Sequence, residues 1–259
     1  MLRLTHLPVI VTAALMLAPA LASPGAAAEI KVINANALSV AMKEIAADFT
    51  KQTGHTITYV GVSPGQIDQR IKAGEKYDII INATDSLKAY EGQGLLRGGT
   101  RHPFARVGIG LAVKDGRSLD LSTVESTRKA LLDAKSLMHS DSTGGGLSGI
   151  NATKVLVNLG IADAVKAKLT LAAGLDTGQA RIASGEIEIG IFNLSEIPRA
   201  PGVARAGPVP RPVQVYINYD SSVSAASTVP DAALALIQFW TRPETKPIWD
   251  KAGLEVSGE

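Results

Sequence analysis

Asn34, Asn36, Ser63, Ser148 and Asn193 are small polar residues that stand where an apolar strand pattern ends or a helical pattern begins. Ser63-Pro64-Gly65-Gln66 sets a serine three positions before a glutamine, the spacing of a capping box, with a proline suited to the first helical position. Asp141 to Gly149 reads Asp-Ser-Thr-Gly-Gly-Gly-Leu-Ser-Gly and leads into another helix start around Ser148. The chemistry open to such residues is hydrogen bonding rather than bond making. Backbone N–H groups left unpaired at helix starts favour anions. Asn34 and Asn36 fit either a turn that asparagine tolerates or a contact to a ligand. Asn193 brings both a donor and an acceptor. Asp141 would repel an anion and reads as a residue that caps or orients its loop.

Other chemistries lack their motifs. Gly144-Gly145-Gly146 is not followed by the Lys-Ser or Lys-Thr of a P-loop and reads as a cleft loop. No Gly-x-Ser-x-Gly elbow occurs. His55, His102 and His139 share neither helical spacing nor a nearby carboxylate pair, and His6 lies in the leader, so no metal site is expected. The chain has 0 cysteines, which excludes disulfides, iron–sulfur clusters and thiol catalysis. Aromatic residues are 4% and the formal net charge is +2, so neither base stacking nor nucleic-acid binding is indicated. No catalytic residue and no cofactor is assigned. Arg97, Arg101, Arg106, Arg205 and Arg211 read as solvated charges, with the steering of anions as their functional alternative.

The elements that must position these residues follow from periodicity. Ile30 to Ile33 is a strand, and Leu38, Met42, Ile45 and Phe49 mark one helix face ending at Gly54. Ile57 to Val60 is a second strand, leading through Ser63 into a helix that stops at Gly74. The isoleucine run in Tyr77 to Ala83 predicts a strand buried on both faces, followed by a helix that Asp85 starts. Val107 to Val113, Ser136 to His139, Lys168 to Ala172 and Ile187 to Phe192 are further strands. Helices between them are capped by Ser122 with Glu125, start near Ser148, and are capped by Asp176-Thr177. Ala200 to Pro212 is rich in Pro, Gly and Arg and reads as irregular. Val213 to Tyr219 is the last strand, followed by helices over Pro230 to Trp240 and Pro243 to Ala252, with both tryptophans in the core.

Two sets of alternating strands and helices therefore end near Arg106 and Arg211. The remaining strand and two helices are too few for a third domain and return to the first. The pattern predicts two α/β lobes joined by two crossings, with ligands outside the carboxyl ends of the strands. At the start, Arg3, the apolar run Leu7 to Leu21 and the small residues Ala26-Ala27-Ala28 fit an export signal cleaved after Ala28. The run is shorter than the ~20 residues a membrane span needs.

Lys31-Val32 through Leu38 and Met42, Arg70-Ile71-Lys72-Ala73-Gly74 with Tyr77 to Asp85, Gly146 to Gly160, Gly185-Glu186 with Gly190-Ile191, and the Trp240 to Leu254 ending carry a resemblance. In their order and spacing they resemble the periplasmic solute-binding proteins of ABC importers, in particular the molybdate-binding family, over nearly the whole mature chain. The resemblance implies the type II periplasmic-binding-protein fold: mixed, mainly parallel sheets flanked by helices, with a cleft between lobes. It implies a signal peptide at 1–28, a first lobe at 29–106, a second lobe at 107–212 and a return to the first at 213–259. It also implies a monomeric periplasmic receptor that closes on a molybdate-like or tungstate-like anion and delivers it to a membrane permease.

By position, the family's ligand loops correspond to Ala37, next to the candidate contact Asn36, to Pro64 flanked by Ser63 and Gly65, and to Ser148, Leu175 and Asn193. Ala37 and Pro64 stand where the family has serine hydroxyls, and Asn193 where it has a tyrosine. These departures point to a changed ligand, a small organic acid or polar metabolite, or to a sensor role. A hydrolase or transferase on the same α/β plan is the reading from another class, and it lacks a nucleophile–base pair by motif.

Overall fold

The computed structural model describes residues 27–143, 146–197 and 201–256. The expected signal segment lies outside them apart from its last two residues, as do Gly144, Gly145 and Ala200.

The chain opens with β1 (Glu29–Ala35), a 3-10 turn over Asn36–Leu38, α1 (Ser39–Thr53), β2 (Thr56–Val62), α2 (Pro64–Lys72), β3 (Ile79–Ala83), α3 (Thr84–Gly92) and the long β4 (His102–Lys114). Then come α4 (Val124–Asp133), β5 (Leu137–Ser140), α5 (Leu147–Asn158), α6 (Ala162–Val165), β6 (Leu169–Ala172), α7 (Leu175–Ser184), β7 (Ile189–Asn193) and β8 (Val203–Pro208). The chain closes with β9 (Tyr216–Val223), α8 (Pro230–Trp240), α9 (Lys246–Lys251) and β10 (Glu255–Val256).

The strands run in the order β2-β1-β3-β9-β4-β7-β5-β6, with β8 and β10 also paired to β4. Pairing is parallel among β1, β2 and β3 and among β5, β6 and β7. Around β4 and β9 it is antiparallel. The residues of β4 divide between two partners: 102–108 pair with β9, and 109–112 with β7. One strand thus belongs to both lobes. Beside it, the Gln214 carboxamide brackets Ile109: its Nε2 donates to Ile109 O at 2.8 Å and its Oε1 accepts from Ile109 N at 2.6 Å. Gly108 permits this approach, since a Cβ there would meet Gln214 Cδ at 2.9 Å.

One apolar core joins residues of β1 to β4 with Ile217, Tyr219, Val223, Trp240, Trp249 and Leu254. The C-terminal helices dock by hydrogen bonds as well as packing: Trp240 Nε1 donates to Met42 O and Trp249 Nε1 to Trp240 O, each at 2.9 Å. Phe104 meets both indoles edge-on, a favoured aromatic geometry. The sheet of the second lobe is covered on both faces. Leu131, Val155 and Leu156 belong to the core on one side, and Ile182 with Phe192 to that on the other.

Several local expectations change. The cap of α4 is Thr123 with Ser126, at 3.0 and 3.2 Å, not Ser122 with Glu125, because Ser122 turns back to Asp120 Oδ1 at 2.6 Å. Gly174 precedes α7, so Asp176 and Thr177 lie within its first turn and do not cap it. Likewise α3 starts at Thr84, before Asp85. β4 begins at His102, ahead of the expected Val107. The stretch expected to be irregular contains β8, which is held by pairing with β4 across a register shift at Leu111/Ala112. The last long strand starts at Tyr216, since Arg211–Val213 forms a 3-10 turn.

Candidate functional site

The turn after β1 is built from the inside. Asn34 is fully buried, and its Nδ2 donates to Ala35 O and to Ser39 Oγ, both at 2.9 Å. This fixes the chain direction through Asn36 and Ala37. Gly61 at the end of β2 lets the turn pack closely, because a Cβ there would meet Ser39 Oγ at 2.6 Å and Asn36 Oδ1 at 3.2 Å.

The next loop forms the expected capping box. Ser63 Oγ accepts from Gln66 N at 3.3 Å, and Gln66 Oε1 accepts from Ser63 N at 3.0 Å and from Ser63 Oγ at 3.1 Å. Pro64 occupies the first helical position and Gly65 the second. Behind them, Asn82 Nδ2 donates to Pro64 O at 3.3 Å and to Asp68 Oδ1 at 2.8 Å, and Tyr90 Oη donates to the same Asp68 oxygen. The start of α2 is thereby tied to the end of β3.

In the second lobe, Thr143 donates to Asp141 through its N–H and its hydroxyl, both at 2.9 Å. These bonds hold the Asp141 carboxyl below its ordinary range. Asp141 therefore orients the loop before α5. Gly149 presses α5 against the end of β5, for a Cβ there would lie 2.1 Å from Ser140 O. The residues before α5 and α7 are Gly146 and Gly174. Glycine has no side chain with which to cap, so the first N–H groups of both helices are left to other acceptors.

These parts meet around one cavity of about 570 Å³, within the ~300–1,000 Å³ usual for small-molecule sites. Asn36, Ala37, Ser63 and Pro64 line it from the first lobe, and Ser148, Leu175 and Asn193 from the second. Gly65, the second residue of α2, is not among the residues that line the cavity. Ile217 and Tyr219 of β9 line the cavity as well.

Among the wall residues that sequence reasoning missed, Glu196 and Tyr219 bring a carboxyl and a phenol. Ser148 Oγ accepts from Asn193 N at 3.2 Å and donates to Glu196 Oε2 at 2.9 Å. Gln179 Nε2 donates to Glu196 O at 2.6 Å. The cavity wall thus carries a carboxylate at the start of α5. Tyr219 is buried, and burial, with the Glu196 charge second, pushes its phenol well above the ordinary tyrosine value. It stays neutral at physiological pH. Among the described residues, no group of three or more His, Asp or Glu could hold a metal ion. Three of the five flanking arginines are engaged elsewhere: Arg101 with Asp220 at 2.6 Å, Arg106 with Glu255, and Arg205 with Ile197 O at 2.7 Å.

The family model for bacterial extracellular solute-binding proteins matches residues 30–255. Aconitate isomerase from a Pseudomonas species is 25% identical over 259 residues, covering 96% of this chain and 97% of its own. The molybdate-binding protein ModA of Rhodobacter capsulatus is 27% identical over 246 residues, covering 93% of each. In structure, the periplasmic molybdate-binding protein of Azotobacter vinelandii superposes with a TM-score of 0.69 at 21% identity, over 88% of this chain and 100% of that one. At that identity the likeness is one of fold: two lobes with a cleft between them.

Proposed function

The chain belongs to the family of bacterial extracellular solute-binding proteins, and from that premise we propose that it is an exported receptor for a small anion, which it delivers to the membrane permease of an ABC importer. The observation that carries this reading is the meeting of three helix starts, those of α2, α5 and α7, on one cavity. Helix starts present N–H donors and partial positive charge, so an anion is held there without a counter-ion. Asn36, Ala37, Ser63, Pro64, Gly65, Ser148, Leu175 and Asn193 are its proposed contacts, Gly65 through its backbone N–H.

The lobes are assigned to 29–106 with 213–259 and to 107–212, with the leader 1–28 removed on export to the periplasm. Lobe closure about the Ile109–Gln214 region captures the ligand, and the receptor acts as a monomer. The molybdate-binding relatives favour a metal oxyanion, and the aconitate isomerase relative favours an organic acid. Two features support the organic acid. Ala37 and Pro64 offer no hydroxyl, and two of the three serine hydroxyls on the wall, those of Ser63 and Ser148, already have protein partners.

A thermal-shift panel on ligand-free mature protein, with molybdate, tungstate, sulfate, phosphate and small carboxylates, tests the reading. At least one anion is expected to raise the melting temperature; if none does, the proposal fails. A second reading, isomerisation of an unsaturated acid, is favoured by the aconitate isomerase relative together with the Glu196 carboxylate on the wall. Proton NMR of cis-aconitate incubated with the protein separates the two. A receptor leaves the spectrum unchanged, and appearance of the trans acid would make the protein an enzyme.

A further inference from the structure

We infer that Tyr219 is a ligand-binding residue, whose phenol O–H donates to an oxygen of the bound anion from the first-lobe side of the cavity. This rests on the reading of the cavity as an anion site. Tyr219 is 2% exposed, packs in the core of the first lobe and lines the cavity. Its hydroxyl makes no hydrogen bond within the described residues. It also keeps some accessible surface, unlike the hydroxyl of Tyr59, which is enclosed without a partner. Ile217 and Tyr219 are two apart on β9, so they face the same side of the sheet, and both reach the cavity. The strand is held from both edges, with Tyr219 opposite Ala83 of β3 and Ala105 of β4. Buried polar groups in native proteins are nearly always paired, and here the partner has to come from the cavity. Burial keeps the phenol protonated at physiological pH, so it can donate.

The other donors of the first lobe show why this hydroxyl matters. The start of α2 brings its partial positive charge, but its hydrogen-bond donors are mostly used. Pro64 has no N–H. The Ser63 N–H is taken by Gln66 Oε1 at 3.0 Å and the Gln66 N–H by Ser63 Oγ at 3.3 Å. Ser63 Oγ itself donates to Gln66 Oε1 at 3.1 Å. This leaves α2 the Gly65 N–H. Ala35, Ala37 and Val62 make the adjoining wall apolar. On the opposite side, Gly146 and Gly174 leave the first N–H groups of α5 and α7 uncapped by side chains. A ligand favours closure only through contacts that the closed form gains, so it needs partners in both lobes. Tyr219, with the carboxamide of Asn36 on the same wall, supplies the side-chain donors that the start of α2 lacks.

Calorimetric titration of the mature wild type, Tyr219→Phe and Tyr59→Phe with succinate, malate, citrate, sulfate and molybdate tests this. Tyr59 is the matched control: its hydroxyl also lacks a partner, but its ring packs beside Trp240 and does not line the cavity. The anion that binds the wild type most tightly is expected to bind Tyr219→Phe about tenfold more weakly, the effect of one hydrogen bond to an anion. Its affinity for Tyr59→Phe should not change. Unchanged affinity in Tyr219→Phe, or an equal loss in both variants, overturns the inference and leaves the anion receptor standing. So does failure of Tyr219→Phe to fold, read by thermal unfolding without ligand, because the empty protein does not need a hydroxyl that has no protein partner. Binding of none of these anions to the wild type overturns both.

Discussion

Ser148 Oγ donates to Glu196 Oε2 at 2.9 Å across 48 residues of sequence. The start of α5, one of the three helix starts on the cavity, therefore already faces an anion of the protein's own. A protein carboxylate at this point lowers the positive potential available to a ligand there. It separates this cavity from one that surrounds an oxyanion with donors on every side.

Glu196→Gln follows from this relationship. The amide keeps the shape and can still accept from Ser148, but removes the charge. Affinity for sulfate and molybdate is expected to rise on the order of tenfold, since a like charge within several ångströms costs about 1–2 kcal/mol at an effective dielectric near 20. Calorimetry at low salt reads the change. An unchanged or weaker affinity would mean that Glu196 does not act on the bound anion.

Gln214 gives a stability prediction. Its side chain satisfies both backbone groups of buried Ile109 at the point where β4 passes from one lobe to the other. Gln214→Ala is expected to cost about 1–3 kcal/mol by removing the acceptor of the buried Ile109 N–H and one of the two donors to Ile109 O, which keeps its bond from Val209 N at 3.1 Å. Urea unfolding followed by circular dichroism checks it. A loss below about 0.5 kcal/mol, the range of ordinary surface substitutions, would show that the bracket is dispensable.

Tyr219 sets a pH dependence. Burial raises its phenol above the ordinary value near 10, so the folded state holds this proton more tightly than the unfolded state does. The associated stability is fully present below about pH 10 and is lost as pH rises from there toward the raised folded value. Tyr219→Phe removes this contribution. Urea midpoints measured from pH 8 to 11 should fall more steeply for the wild type than for the variant above pH 10. Parallel curves would contradict the assignment.

Much of the first lobe is legible in sequence because its signals are local. The run Ile79-Ile80-Ile81 has no polar face, and β3 lies between β1 and β9 with all three residues buried. Ser63 with Gln66 has the spacing of a capping box and forms one. The misses depend on distant partners. Val203 to Pro208 becomes a strand because β4 offers a pairing edge, which no Pro-rich and Gly-rich stretch announces. Ser122 loses the cap of α4 to Thr123 because Asp120 competes for its hydroxyl. Glu196 and Tyr219 reach the cavity through a turn and a strand from different parts of the chain. Their spacing from Ser63 or Ser148 carries no period to detect. Ala37 and Leu175 come from family position rather than chemistry, since neither shows a functional pattern of its own.

The central claim is that the ligand sits in the cavity between the lobes. It is tested most directly by filling that cavity from either side. Ala37 lines it from the first lobe and Leu175 from the second, and neither is fully buried. Calorimetric titration of Ala37→Trp and Leu175→Trp with the anion that most stabilises the wild type should show binding weakened at least about tenfold in both, with the melting temperature of the ligand-free protein little changed. Undiminished binding in both folded variants would place the ligand elsewhere and contradict the account.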